Sequence, residues 1–403
     1  MYSPTGFAYP AVPTSIVYSD SLLRYKFAHR HPMHPMRLDL TARLAYDLGV
    51  FDLPNVTRAR PHTSSHGELE LVHDAAYINA VQLVSADPRR SDEKRGLGTM
   101  DNPAFADMHV AAATIFGGSV QAADLIASEK AKHVVNFAGG MHHASRSAAS
   151  GFCIYNDAAG AVAQLLESGV KRVLYIDVDA HHGDGTQSIF FNDPRVMTVS
   201  LHESGVSLFP GSGFPYETGG GDATGTAVNI ALPTGTSDAG WLRAFHAVVP
   251  QVAGAFEPEA IVSQHGCDAH TEDPLSNLRV SVDAQRMAAI SIAGLAHDLC
   301  EDRWIATGGG GYDVVNTTPR VWSHLCGIVA GAPIGVSEPT PQSWRDYVKE
   351  KYRKDAPDLM GEGADTWWRS WEVGYDPNDA VDRAIMATRK EVLPLHGLDP
   401  WFD

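Results

Sequence analysis

Short apolar runs rich in β-branched residues recur along this chain, separated by longer stretches whose apolar positions return every three or four residues. Ser15–Tyr18, His133–Phe137, Val173–Val178, Val196–Leu201, Ala260–Gln264 and Trp304–Thr307 have the length and composition of strands. Leu38–Leu48, Phe105–Ile126, Asp157–Glu167, Asp238–Phe256, Val282–Cys300 and Val314–Ala330 have the period of helices. The alternation predicts an α/β fold, a mostly parallel sheet with helices on both faces.

Glycines gather just after the strands, at Gly139-Gly140, Gly183–Gly185, Gly266 and Gly308–Gly311. Ligands of open α/β sheets sit beyond the strand C-termini, where such loops meet. Histidines and aspartates occupy the same places, so loops and polar residues point to one site. Residues 202–226, rich in Gly, Ser, Pro and Phe, predict a long ordered loop that shapes a pocket. From about Pro339 onward Trp344, Trp367, Trp368, Trp371 and Trp401 lie among charges, with a helix predicted near Ala380–Val392. Residues 332–403 read as an extension packed on the main domain rather than as a second domain. Neither internal repeats nor low-complexity tracts occur.

Composition narrows the function classes. With 403 residues, 44% of them hydrophobic, one large core is within reach of a single domain. A net charge of −17 leaves no basic footprint for nucleic acid. It is compatible with basic partners such as lysine-bearing tails, although a well-solvated surface is the simpler reading. Cys153, Cys267, Cys300 and Cys326 show no CxxC spacing, so neither disulfides nor a structural zinc module is expected, and a reducing cytoplasm fits. The N-terminus has no basic region followed by an apolar segment, and no run of 18 apolar residues occurs. Neither a signal peptide nor a membrane span is expected.

Four constellations carry chemistry. In Asp177-Val-Asp179-Ala-His181-His-Gly-Asp184, at the end of an apolar strand, alternation lets Asp177, Asp179 and His181 lean to one face. Asp179 and His181 are candidate ligands of a divalent metal, with Asp177 and Asp184 as carboxylates that orient histidines. A cluster of surface-loop charges is the alternative. Gly139-Gly140-Met141-His142-His143 places two imidazoles at another strand end. They suit acid/base work, metal ligation, or merely a solvated loop. Gln264-His265-Gly266-Cys267-Asp268 offers Asp268 as a third ligand, and three protein ligands leave a catalytic position open. Gly308–Gly311 followed by Tyr312 supplies a phenol that can donate to an oxyanion; the Lys-Ser/Thr close of a phosphate loop is absent.

Together, GGMHHA (139–144), SGFCIYND (150–157), DVDAHHGDGTQ (177–187), VMTVSLH (196–202), FPGSG (209–213), QHGCD (264–268) and GGGGY (308–312) resemble the histone deacetylase superfamily. They are similar in particular to its bacterial acetoin-utilisation branch and to class I enzymes. The resemblance spans about residues 14–331 and implies a single-domain arginase/deacetylase fold with about eight strands, 332–403 remaining as the extension. It implies that Asp179, His181 and Asp268 bind zinc, with iron(II) as the alternative. His143 would be the general base, His142 electrostatic, Asp177 and Asp184 their supports, and Tyr312 the oxyanion donor. Gly151, Phe152, Phe209 and Leu275 match the substrate tunnel, Asp101 the rim aspartate, and Arg37 the acetate channel. Asp177, Asp179, His181, Ser200 and Leu201 match a monovalent cation site, usually of potassium. The implied substrate is acetyl-lysine in a protein or peptide, with acetyl-CoA synthetase as the target; neither nucleic acid nor membrane is an expected partner.

Some positions depart from the usual pattern. Met141 stands where Leu or Trp is common, and the rim spacing Gly98-Thr-Met-Asp101 is altered. His270 is read as a loop or rim residue rather than a ligand, and His29, His31 and His34 as a structured loop rather than a metal tract. An acetylpolyamine hydrolase would want a rim carboxylate where Leu275 stands. A binuclear manganese enzyme needs further aspartates that Asp268-Ala-His270-Thr-Glu272 lacks. A non-enzymatic acetyl-lysine binder would not need the complete acid/base and metal set.

Overall fold

The structure, a computed structural model, describes residues 11–27 and 30–403; the expectations for the N-terminal Met1–Gly6 segment and for His29 lie outside them. Among the described residues, eight strands form one sheet: β1 (Thr14–Val17), β2 (Val56–Ala59), β3 (His133–Asn136), β4 (Val173–Asp177), β5 (Val196–Glu203), β6 (Ala227–Leu232), β7 (Ala260–Gln264) and β8 (Trp304–Thr307). Their order is β2-β1-β3-β8-β7-β4-β5-β6, and every pairing is parallel. The mostly parallel expectation becomes wholly parallel.

Eleven α-helices accompany them among the described residues: α1 (Met36–Asp47), α2 (His66–Leu69), α3 (Ala75–Ala86), α4 (Met108–Ala127), α5 (Asp157–Glu167), α6 (Asp184–Phe190), α7 (Asp238–Phe256), α8 (Val282–Cys300), α9 (Thr318–Val329), α10 (Gln342–Tyr347) and α11 (Ala380–Val392). α4 and α5 cover one face of the sheet, and α7, α8 and α9 cover the other. Six predicted strands are found within two residues. β2 and β6 escape the pattern for physical reasons. β2 is an edge strand with exposed Thr57 and Arg58, so its apolar signal is weak. β6 is interrupted by buried Asn229, whose amide donates to Gln187 Oε1 (2.8 Å) and the Glu217 carbonyl (3.0 Å). The helix expected from Val314 starts at Thr318, where Pro319 occupies the first turn. α4 is long and apolar enough to cross a membrane by length and composition, yet 72% of its apolar window is buried here, packed on β3 and α5.

The register does the positioning. Asn136 pairs with Thr307, Thr307 with Gln264, Gln264 with Asp177, and Asp177 with Ser200. Four adjacent strands that are distant in sequence therefore end on one line, and the loops beyond it start side by side.

Residues 332–403 lie against the sheet-bearing part of the chain. Trp344 is fully buried and donates from Nε1 to the Leu40 carbonyl of α1 (3.0 Å). Asp382 of α11 forms a buried bidentate pair with Arg243 of α7, at 2.5 and 2.9 Å. Breaking such a pair leaves a buried guanidinium without its counter-charge, with only the carbonyls of Arg369, Ser370 and Gly374 as acceptors. Asp382→Ala is expected to lower unfolding free energy by about 3–5 kcal/mol in urea denaturation; a loss below ~1 kcal/mol would show that the pair does not anchor the segment.

Candidate active site

Every loop that leaves the aligned strand ends brings a polar side chain to one place. Asp179 and His181 follow β4, and Asp268 follows β7. Their ligand atoms lie within 4.8 Å of one another, the one such buried group among the described residues. His181 Nδ1 stands 3.1 Å from Asp179 Oδ1 and 3.0 Å from Asp268 Oδ2. Asp179 accepts from Gln264 Nε2 and the Gly310 N–H, both at 2.8 Å, and Asp268 accepts from the Ala180 N–H at 2.8 Å. Burial and the neighbouring Asp179 push the Asp268 carboxyl up to about 6. That repulsion is what a divalent cation relieves, and two carboxylates with one imidazole suit zinc or iron(II). The glycines leave no alternative filling. A Cβ at Gly266 would stand 1.9 Å from Asp179 Oδ2, and one at Gly310 2.0 Å from Asp268 Oδ2.

The histidine pair stands beside this triad. His142 Nδ1 lies 2.8 Å from Asp177 and His143 Nδ1 lies 2.7 Å from Asp184, while the two Nε2 atoms are 3.0 Å apart. Their environments differ. Burial opposes charge on His142, but Asp177 and Asp179 outweigh it and raise the ring to about 9. Burial and the cationic neighbour lower His143 to about 4, against the pull of Asp184. A protonated imidazole thus sits beside a neutral one, a division of acid/base states of the kind seen in catalytic pairs.

Tyr312, after β8, lines a cavity of about 240 Å³ together with Asp101, His143, Gly151, Phe152, His181, Leu208, Phe209 and Leu275. Burial, with Asp268 and Asp179 nearby, raises its phenol well above the ordinary range, so it stays a hydrogen-bond donor. Leu208 and Phe209 come from the long loop after β5, and the Phe209 ring meets that of His143 edge-on at 5.1 Å. Phe152 has φ of +69°, uncommon outside glycine, and the Tyr25 hydroxyl holds its carbonyl at 2.7 Å. Asp101 is exposed at the mouth, and His31 Nε2 donates to its carbonyl at 3.1 Å, so His31 belongs to a structured loop.

Other sequence-predicted residues find places with different emphasis. Arg37 is buried, stacks 5.0 Å over Trp322 and donates to the Gly309 carbonyl at 2.7 Å. The space it lines with Met33 and Met141 is only about 10 Å³, so an acetate channel would be closed in this conformation. Ser200 sits opposite Asp177 across β4–β5, with Leu201 next along β5. His270 is buried rather than at the rim, which corrects that part of its reading; it remains outside the triad.

Four supports went unassigned in the sequence. The Tyr175 hydroxyl donates to Asp177 Oδ2 (2.7 Å), and Gln264 holds Asp179. Asp157, first residue of α5, accepts from the N–H groups of Gly140 (3.0 Å) and Met141 (2.8 Å) and so fixes the loop bearing both histidines. Asp273 accepts from the Tyr312 N–H at 2.7 Å. Gln264 and Asp157 stand inside the recognised motifs and Tyr175 in the strand just before one, whereas Asp273 left no signal.

Comparison with known proteins places the chain in a family and matches its fold. Residues 31–329 match the histone deacetylase domain family. The chain is 39% identical over 380 residues to the acetoin utilization protein AcuC of Bacillus subtilis (strain 168), covering 93% of this chain and 97% of that protein. It is 40% identical over 355 residues to AcuC of Staphylococcus aureus (strain MSSA476), covering 87% and 90%. A crystal structure of a histone deacetylase homologue from Aquifex aeolicus superimposes with a TM-score of 0.80 at 28% identity, covering 93% and 99% of the two chains. The HDA15 HD domain gives 0.75 at 25% identity, covering 96% of each.

A mononuclear site predicts one tightly bound divalent ion per chain when metal-free protein is titrated with zinc. Loss of a carboxylate that merely supports a ligand costs about 10–100-fold in affinity, so Asp268→Ala should cost at least ~100-fold. Two tight ions per chain, measured by calorimetry, would contradict the site as described.

Proposed function

The chain belongs to the histone deacetylase family, and from that premise we propose that it hydrolyses N-acetyl-lysine in proteins or peptides to lysine and acetate. The observation that carries this reading is that Tyr312, His143 and His181 line one mostly apolar cavity, with His142 beside His143 and with Asp179 and Asp268 beside His181. Phe152, Leu208, Phe209 and Leu275 suit the neutral butyl chain of an acetylated lysine. Asp101 at the mouth is placed to accept from substrate backbone. A rim carboxylate for a distal ammonium has no counterpart at Leu275, which favours acetyl-lysine over an acetylpolyamine.

Asp179, His181 and Asp268 would hold the divalent ion, zinc or iron(II), which when bound supplies Lewis-acid polarisation of the acetyl carbonyl and acidifies water. The chain's own groups perform the remaining work. Neutral His143, its Nδ1 tied to Asp184, takes a proton from the attacking water at Nε2 and later delivers it to the leaving lysine nitrogen. His142, tied to Asp177, keeps positive charge beside the developing anion. The Tyr312 hydroxyl donates to the carbonyl oxygen as it becomes an oxyanion. The amide C–N bond breaks, and one water is consumed for each acetate and lysine formed. We also place potassium at Asp177, Asp179, His181, Ser200 and Leu201, supported by the pairing of Asp177 with Ser200 across β4–β5. Arg37 we assign to acetate release, with residues 14–331 as the catalytic domain and 332–403 as its extension.

The relatives' name refers to acetoin use, and on that basis we propose acetyl-CoA synthetase as the physiological target in the cytoplasm. Buried, free thiols at all four cysteines fit a reducing compartment. Extracts of cells lacking this protein should then accumulate acetylated synthetase by mass spectrometry, and no accumulation counts against that target. For the chemistry, Tyr312→Phe should lower kcat on an acetyl-lysine peptide by about 10²–10³-fold, and His143→Ala by about 10²–10⁴-fold. Turnover unchanged in both variants would sink the mechanism, and faster turnover of acetylputrescine would move the substrate to polyamines.

A further inference from the structure

Among the described residues, the extension hydrogen-bonds the loop that carries Asp268 through the Glu362 carboxylate. His270, two residues beyond Asp268, is 2% exposed. Its Nδ1 lies 3.1 Å from the Glu272 N–H and 3.0 Å from the Thr317 hydroxyl, while its Nε2 faces carboxylate oxygens, which only accept. Nε2 then donates to Glu362, 3.0 and 3.2 Å from its two oxygens. The same carboxylate accepts from Arg320 Nη2 of α9 (2.8 Å) and from the Val282 N–H at the start of α8 (3.1 Å). Burial works against its charge, yet His270, the Val282 N–H and Arg320 hold it at about 2.

The strap around Glu362 is itself fixed. Asp283 accepts from the N–H groups of Glu362 (3.2 Å) and Ala364 (2.7 Å), and Arg320 Nη1 donates to the Gly361 carbonyl at 3.1 Å. On the loop, the His270 N–H donates to Cys267 (3.2 Å) and its carbonyl accepts from Asp273 (2.9 Å). Asp273 in turn holds the Tyr312 N–H. The His270 backbone therefore lies between the candidate ligand Asp268 and the support of the oxyanion donor.

We propose that Glu362 is a positioning residue that acts through His270 to set Asp268 and, by way of Asp273, Tyr312. The inference rests on the deacetylase reading, and its test separates the two. Zinc affinity by chelator competition, and kcat and KM on an acetyl-lysine peptide, would be measured for the full chain and for Glu362→Ala and Glu362→Gln. Glu362→Ala should weaken zinc binding by about 10-fold or more and lower kcat by ~10-fold with KM little changed. Glu362→Gln, which keeps an acceptor for His270, should recover part of both and carries the test if the alanine variant fails to fold. Thr388→Val removes a buried bond from α11 to the Asn229 carbonyl (2.6 Å), another anchor of the same segment. It should lower thermal stability while leaving zinc affinity and kcat unchanged. Wild-type values in Glu362→Ala, or equal losses in Thr388→Val, would overturn the proposal by reducing Glu362 to a docking contact. Wild-type protein that binds zinc without turnover overturns the deacetylase reading instead, and the affinity comparison alone then decides the role of Glu362.

Discussion

Two buried carboxylates held side by side are the constraint around which the site is arranged. Asp179 and Asp268 are fully buried, and their ligand atoms fall within 4.8 Å. At an effective dielectric constant of ~20, unit charges that close repel by at least about 3.5 kcal/mol, on top of desolvation costing several kcal/mol per ion. Hydrogen bonds from Gln264, Gly310 and Ala180 offset part of this, each worth about 1.5–3 kcal/mol because the acceptor is charged. They come from the end of β7 and from the loops after β8 and β4, so the carboxylates tie those segments together as much as the segments hold the carboxylates. What those donors cannot remove is the like-charge repulsion, and that residue of unfavourable energy is what would favour a cation between them.

The same field separates the two histidines. Both are buried, and burial alone would lower both. His142 faces Asp177 and Asp179 and is raised, while His143 faces His142 and is lowered despite Asp184. Adjacent residues in the chain thereby acquire opposite protonation states. Their backbone is held from below by Asp157, and the Gly151 contact is so close that a Cβ there would meet His143 at 2.3 Å. Ring orientation is therefore decided by packing and charge before any substrate arrives.

How much of this was legible in the sequence follows from the range of the interactions. Continuous apolar runs identified the six strands that are mostly buried, and the glycine-rich ends marked where the site lies. Asp179, His181 and Asp268 were legible because each sits in a local motif at a strand end. The edge strand β2 was not, since half-exposed strands carry no continuous apolar signal. Asp273 and Glu362 were illegible for a different reason. Each acts on a backbone or ring brought near it only by the fold: Glu362 lies 92 positions from His270, and Asp273 lies 39 from Tyr312. His270 is the loop residue outside the triad that its sequence context suggested, but its burial under Glu362 was not legible, because no local pattern connects it to that segment.

Arg37 shows how the charge balance and the fold are one problem. Its guanidinium stays charged despite burial, which makes it a fixed cation near the carboxylate pair. It does not pair with either carboxylate. It donates to the Gly309 carbonyl and rests on Trp322, next to the Gly310 N–H that binds Asp179. In that position it neutralises at a distance and leaves the inner carboxylate oxygens free. A direct salt bridge would satisfy the same electrostatics but would occupy the ligand positions. By fixing the glycine loop instead, Arg37 holds in place the Gly310 N–H that donates to Asp179, and it leaves the candidate ligand without a salt bridge across its oxygens.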